Sequence, residues 1–147
     1  MIARAAAAAT ALVVLAAAAA AEPPFRVHAV SGAPQSAWSY AAIDRAAYDA
    51  AFTRPLVVRL VGHHARHAVV RFSCISRDCQ LAPSDQPDSV TRVDPRSYDV
   101  KSDEGGTASI TVTLQVDTPS TNVVRAAPVV DGKPLTRGTA DFVLTAR

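Results

Sequence analysis

The chain of 147 residues has little of what known catalytic motifs require. It has two cysteines, one methionine, six glycines and only 5% aromatic residues. No glycine-rich phosphate loop, no G-x-S-x-G elbow, no S-x-x-K and no H-E-x-x-H motif occurs in it. The sequence therefore offers no motif for nucleotide binding, nucleophilic catalysis or zinc proteolysis, and it predicts a protein that is not an enzyme.

The sequence also lacks a strong excess of charge of either sign. It carries 15 basic and 13 acidic residues, a formal net charge of +2. Nucleic acids and anionic membranes attract proteins through a clear positive excess, which is missing here. We therefore expect no nucleic-acid partner, and a protein or a glycan ligand is the expected kind of partner.

The one long apolar run lies at the start of the chain. Arg4 precedes small and apolar residues from Ala5 to Ala21, and Glu22-Pro23-Pro24 follows. A basic start, an apolar middle and a small-residue end are typical of a cleaved secretory signal. We predict a signal peptide over 1–21 and one domain over 22–147, secreted or periplasmic, with no membrane span after cleavage. The alternative is an uncleaved anchor, although the run, of about 17 residues, is short for crossing ~30 Å of hydrocarbon.

The two cysteines, Cys74 and Cys79, are separated by four residues. In an exported protein an even pair is most simply a disulfide. The alternative is a redox or metal pair, but the spacing differs from C-x-x-C and no second pair completes a zinc site.

Alternating apolar and polar residues dominate the rest of the chain and predict antiparallel strands. The clearest strand covers 107–116, and Asp131-Gly132 favours a tight hairpin ahead of a last strand over 140–146. The further predicted strands cover 25–30, 56–61, 67–75 and 122–127.

Two segments depart from this alternation. In 36–52, Tyr40, Ile43, Ala47 and Ala51 recur at helical spacing and predict one short helix. The segment 80–98 is rich in proline and aspartate and predicts a long loop with one short strand near 89–93. About seven short strands with at most one helix predict an all-β, immunoglobulin-like antiparallel β-sandwich.

The second half of the chain resembles the bacterial immunoglobulin-like domains of the invasin and intimin type. The resemblance covers about 56–147 and lies in Val70-Arg71-Phe72, in Asp103 to Ala108 running on to Leu114, in Val124-Arg125-Ala126 and in the closing strand. The turn element is one residue longer than in that family, the cysteine pair is additional, and 33–55 has no counterpart. The resemblance implies an extracytoplasmic domain that spaces, adheres or binds, and it implies no catalytic residues.

Two clusters suggest ligands. His63, His64 and His67, with His28 on a neighbouring predicted strand, could bind copper or zinc, or they could simply be solvated loop residues. Trp38, Tyr40 and Tyr48 could form a platform for sugars, but aromatics at helical spacing favour a place in the core. The leading hypothesis is an exported binding or structural module without a cofactor, and the alternative is a periplasmic metal-binding protein using the four histidines.

Overall fold

The computed structural model describes residues 25–63 and 65–147, and in that part of the chain the protein is all-β, with no helix. The predicted signal peptide over 1–21 lies outside the described residues. No stretch of the described chain makes a helix with the length and hydropathy to cross a membrane.

The strands are β1 Phe25–Ser31, β2 Gln35–Ala37, β3 Ser39–Ala41, β4 Tyr48–Ala51, β5 Leu56–Gly62, β6 Val69–Cys74, β7 Cys79–Pro83, β8 Val90–Asp94, β9 Ser97–Lys101, β10 Thr107–Ile110, β11 Val112–Val116, β12 Thr121–Val130, β13 Lys133–Pro134 and β14 Ala140–Ala146.

These strands form three sheets. One has the order β1-β5-β10, a second has the order β3-β4-β11-β7, and the largest has the order β2-β14-β12-β6-β9-β8 with β13 paired to β12. All the pairs are antiparallel except β2 with β14. Because β4 runs on into β5 and β10 runs on into β11, the two smaller sheets form one interrupted layer. The larger sheet is the other layer of a sandwich-like arrangement.

A single apolar core joins the three sheets. Leu56 and Val58 come from the first, Leu114 from the second, and Phe72 and Phe142 from the largest, and all five are fully buried. The two phenylalanine rings lie with their centroids 6.3 Å apart. The longer strands, such as β5, β6 and β14, bury alternate residues because successive side chains point to opposite faces, so one apolar face per strand is enough to build this core.

The alternation predicted for three strands is confirmed. In β6 the buried residues are Val70, Phe72 and Cys74, and in β14 they are Phe142, Leu144 and Ala146. The predicted strand over 107–116 buries the expected face but is divided at Thr111, where its pairing changes from β5 to β4 and β7. The predicted hairpin at Asp131-Gly132 is also confirmed, and both residues have positive φ, 52° and 76°.

The short helix predicted over 36–52 is wrong. This segment forms β2, β3 and β4, and the residues expected on the buried helical face are exposed: Tyr40 at 71% and Ile43 at 105%. The buried residues are Ala50 and Phe52, which are two positions apart as in a strand. Pairing of β4 with β11 and of β2 with β14 overrides the local helical pattern.

The long loop predicted over 80–98 is wrong in part. The short strand near 89–93 is present as β8, but the segment also contains most of β7 and the start of β9. Its three prolines avoid the strand interiors: Pro83 closes β7, Pro87 lies in the loop before β8, and Pro95 lies between β8 and β9. A proline costs a sheet little at such positions, so the proline content did not prevent strand formation.

The first strand changes layers at Gly32. β1 pairs with β5 in the three-stranded sheet, whereas β2 pairs with β14 in the largest sheet. Gly32 has a φ of 109°, and a Cβ there would lie 2.8 Å from the Cα of Leu56. The buried side chain of Gln35 donates to the carbonyls of Gly32 and Arg54 and so holds this crossing against the start of β5.

We expect Gly32→Ala to lower the free energy of unfolding by about 1–3 kcal/mol, because alanine is strained at this φ and its Cβ meets backbone atoms. Gly132→Ala is the matched control, since Gly132 also has a positive φ, of 76°, but has open space where a Cβ would lie. Urea unfolding followed by circular dichroism measures both. Equal losses in the two variants would contradict the close approach at Gly32.

Candidate functional site

The outer face of the largest sheet is occupied by ion pairs. Arg71 on β6 pairs with Asp99 on β9 through two bonds of 2.7 and 3.0 Å. Arg125 on β12 pairs in the same two-bond manner with Asp141 on β14, at 2.7 and 2.9 Å. These charged groups bind one another, so the outer face of the largest sheet offers little to a ligand.

The ion pairs shift the pKa values of their members. The hydrogen bond from Arg125 lowers the pKa of the Asp141 carboxyl below its ordinary value, and Asp141 in turn raises the pKa of Arg125. The hydrogen bond to Asp99 raises the pKa of Arg71. Because about two fifths of the side chains of Arg125 and Asp141 is exposed, solvent screens their interaction.

The outer face of the four-stranded sheet is different in kind, and we call it the platform face. At its edge Trp38 and Tyr40 are 70% and 71% exposed, on either side of the half-buried Ser39. Both rings therefore point outward while Ser39 points inward. The other members of the platform face, taken from the strand registers, are Asp49, Ala51, Thr113, Gln115, Gln80 and Ala82.

A row of polar side chains leads away from the two aromatic residues. Tyr40 is paired with Asp49 across β3 and β4, Asp49 with Gln115 across β4 and β11, and Gln115 with Gln80 across β11 and β7. Directly paired residues have their side chains on the same face of a sheet. The row therefore crosses all four strands, a distance of roughly 14 Å at the usual strand spacing.

The backbone on either side of Trp38 is hydrogen-bonded to Arg147, the residue after β14. The amide of Arg147 donates to the carbonyl of Ala37 at 2.9 Å, and the carbonyl of Arg147 accepts from the amide of Ser39 at 2.8 Å. The hydroxyl of Ser39 also donates to that carbonyl, at 2.6 Å. Trp38 is thus an exposed side chain on a backbone that is hydrogen-bonded on both sides.

Two depressions lie at the ends of the platform face. The first, about 280 Å³, is lined by Trp38, Tyr40 and Ala51 together with Thr53 and Arg54. The second, about 410 Å³, is lined by Gln80 and Gln115, and we call it the arginine cleft because Arg45, Arg77 and Arg96 also line it, with Asp78 and Asp117.

One arginine of the cleft, Arg96, stabilises a turn through hydrogen bonds. The guanidinium of Arg96 donates to the carbonyls of Cys74, Ser76 and Arg77, with bonds of 2.9 and 3.1 Å to Cys74. It therefore holds the turn between β6 and β7, where the chain passes from the largest sheet to the four-stranded sheet. The side chain of Arg77, by contrast, makes no hydrogen bond or ion pair with another described residue.

The same turn contains the disulfide. Cys74 and Cys79 are bonded to each other, with their Cα atoms 6.1 Å apart, and both are buried. The predicted structural bridge is confirmed, and the two sulfurs are not metal ligands or free thiols. Because Cys74 ends β6 and Cys79 begins β7, the bridge joins the two layers.

Three of the four predicted histidine ligands lie in described residues. His28 lies on β1 opposite Arg59, His63 follows the end of β5, and His67 has a φ of 57° in the turn before β6. All three are exposed. Among the described residues no group of three His, Cys, Asp or Glu is placed to hold a metal ion. His64 lies outside the described residues, so the copper or zinc site stays a prediction.

Trp38, Tyr40 and Tyr48, predicted as one group, are separated in the structure. Tyr48 packs against the core, whereas Trp38 and Tyr40 lie outside it, so a place in the core was the wrong interpretation for these two. The signal that could have found them is a period of two: Trp38 and Tyr40 alternate with Ala37, Ser39 and Ala41. Gln80 and Gln115 were missed as members of the site because only strand pairing brings them beside the aromatic residues.

Comparisons with protein-family models, with curated proteins and with solved structures found no match to this chain.

Arg96→Lys should lower the free energy of unfolding by about 1–3 kcal/mol, because an ammonium cannot reproduce the fork that spans three carbonyls. Arg77→Lys is the matched control in the same turn and should leave stability unchanged within about 0.5 kcal/mol. Urea unfolding of the oxidised protein measures both. A loss for Arg77→Lys as large as that for Arg96→Lys would contradict the assignment.

Asp141→Asn should reduce stability at neutral pH only slightly, by about 0.5 kcal/mol, because the ion pair is exposed. A lowered pKa in the folded state adds stability above the unfolded pKa, and this stability is lost as the pH falls through the folded value. The difference in stability between Asp141→Asn and wild type should therefore be present at pH 5–7 and become smaller as the solution is acidified below about pH 4. Melting curves against pH measure it, with Asp117→Asn as the control. A stability difference that does not change with pH would contradict the lowering of the Asp141 pKa by Arg125.

Proposed function

We propose that this protein is an exported, non-enzymatic binding module of immunoglobulin-like fold, acting at the cell surface or in the periplasm through its platform face. The observation that carries the proposal is the pair of aromatic side chains, Trp38 and Tyr40, exposed together on a hydrogen-bonded edge of the sheet. Large aromatic residues anchor many interfaces, and they are costly to leave in water without a partner.

The hydrogen-bonded backbone that carries these two residues supports a binding role. Binding loses free energy when side chains and loops must be ordered, so a site on paired strands loses less than a site on a free loop. Tyr40 lies within β3, which is paired to β4, and β4 is paired to β11 in the sheet interior. The outer face of the largest sheet, with its charges already paired, makes a poor alternative.

The order of the strands supports the immunoglobulin-like part of the proposal. An immunoglobulin fold packs strands A, B, E and D against strands G, F and C, and variable-type domains add C′ and C″. Here β14, β12, β6, β9 and β8 follow the order G-F-C-C′-C″ in space, while β1, β5 and β10 follow A-B-E. The chain order departs from that plan in two places. β7, next to β11 in the position of strand D, comes directly after β6, and β8, in the position of C″, comes before β9, in the position of C′.

The invasin and intimin resemblance supports a role outside the cytoplasm. Its elements fall on β6, on the turn before β10 and the strand that follows, on β12 and on β14. The segment 33–55, which has no counterpart in that family, contains β2 to β4 and both exposed aromatic residues. In this proposal the segment is an addition that gives a sandwich domain its own binding surface.

Export is supported by the sequence of the leader and by the disulfide. The pattern over 1–21 is that of a secretory signal, and a disulfide is stable in an oxidising compartment. Cleavage after Ala21 would leave the described domain beginning a few residues later, at β1.

The test is binding of the labelled, exported protein to cell envelopes prepared from the producing cells. We expect saturable binding that falls about tenfold or more when Trp38 and Tyr40 are both replaced by alanine, because the anchoring rings are lost. Val143→Ala is the control, since Val143 is an exposed apolar residue on the largest sheet. Absence of saturable binding, or equal binding by all three proteins, would contradict the proposal.

A further inference from the structure

We infer that the ligand of the platform face is a neutral glycan chain, an inference that rests on the proposed binding function. A sugar ring presents a flat side of C–H groups and a rim of hydroxyls, so it needs an aromatic face beside planar hydrogen-bonding groups. The platform face has both, in adjacent positions.

The aromatic end provides stacking surfaces. Trp38 and Tyr40 are two residues apart on an extended backbone, so their Cα atoms are separated by roughly 6.5 Å. Both border the 280 Å³ depression, which Ser36, Thr53 and Arg54 also line. The negative face of an aromatic ring attracts the slightly positive C–H groups of a sugar, and nearby polar groups can bind its hydroxyls.

The polar row provides donors and acceptors for further hydroxyls. Gln80 and Gln115 each carry an amide with both kinds of group, and Thr113 adds a hydroxyl. Neither glutamine side chain makes a hydrogen bond with another described residue. A sugar hydroxyl also donates and accepts, so it can pair with an amide without leaving either group unsatisfied.

The balance of charge favours a neutral ligand. Arg45 is paired with Asp44 and Asp49. Of the remaining charged residues in the arginine cleft, Arg77 and Arg96 are matched in number by Asp78 and Asp117. Arg54 adds one positive charge at the aromatic depression, and Arg45 has two aspartates beside it, so four arginines are matched by four aspartates. An acidic polysaccharide would require an excess of positive charge along its path, and the face does not have one.

The dimensions favour a chain over a single small molecule or a protein. The row from Tyr40 to Gln80 crosses three strand spacings, roughly 14 Å, and both depressions are open to solvent. A small molecule is usually held in a concave pocket that buries most of its surface. A protein interface needs a broader apolar centre than two rings followed by amides and a carboxylate.

The experiment uses Trp38 as its own reporter, since it is the single tryptophan of the chain. The exported protein is titrated with cello-, malto- and chito-oligosaccharides as neutral probes and with oligogalacturonate as the acidic probe, following tryptophan fluorescence. We expect a saturable fluorescence change with at least one neutral series, an affinity that rises with chain length, and no comparable response to the acidic probe.

The variants test the two parts of the site separately. Tyr40→Ala should weaken binding about tenfold or more, Tyr40→Phe should keep most of it, and Gln115→Ala should weaken it by a smaller factor. Val143→Ala is the control and should bind as the wild type does. Thermal unfolding checks that each variant is folded, which we expect because Tyr40 is exposed and Gln115 points away from the core.

Three results would overturn the glycan inference. The first is no fluorescence change with any neutral series while envelope binding still depends on Trp38 and Tyr40. This result would support the binding function but show that the ligand is not a neutral glycan. The second is a response to oligogalacturonate alone, lost in Arg77→Ala, which would make the ligand acidic. The third is envelope binding abolished by protease treatment of the envelopes, which would make the partner a protein. Loss of envelope binding altogether would instead remove the binding function itself.

Discussion

The burial of one apolar face from every major strand in a shared core is the constraint on which the rest of this structure depends. Leu56, Leu114, Phe72 and Phe142 belong to three different sheets, yet they lie in one cluster without solvent exposure. Since a strand has a side-chain period of two, burying these residues forces their sequence neighbours outward. The residues on both outer faces are therefore the sequence neighbours of the buried ones.

The two outer faces have then become chemically different. On the largest sheet, arginine and aspartate lie opposite each other on neighbouring strands and bind in pairs. On the platform face, exposed rings stand beside amides that have no partner among the described residues. The disulfide and Arg96 hold the turn that joins the layers, so the arginine cleft and the platform face are built on the same fixed frame.

The sequence was a good guide wherever a strand buries one face only. The apolar–polar alternation predicted for β6, β10, β11 and β14 matches their buried and exposed residues, and the disulfide and the Asp131-Gly132 turn were also predicted. It was a poor guide over 36–52, because alanine-rich segments have a high local helix propensity and short strands carry few alternations. In that segment the pairing with β11 and β14, which lie far away in the chain, decided the outcome.

By itself, the sequence determined the class of the fold, the faces of its longer strands and the covalent bridge, because alternation, turn residues and cysteine spacing are local properties. Only the tertiary structure decided which residues form the candidate site. Tyr40 and Gln80 are distant in the chain, and they share a face because pairing through β4 and β11 connects their strands. Such a neighbourhood is a property of long-range pairing, in which local preference has little part.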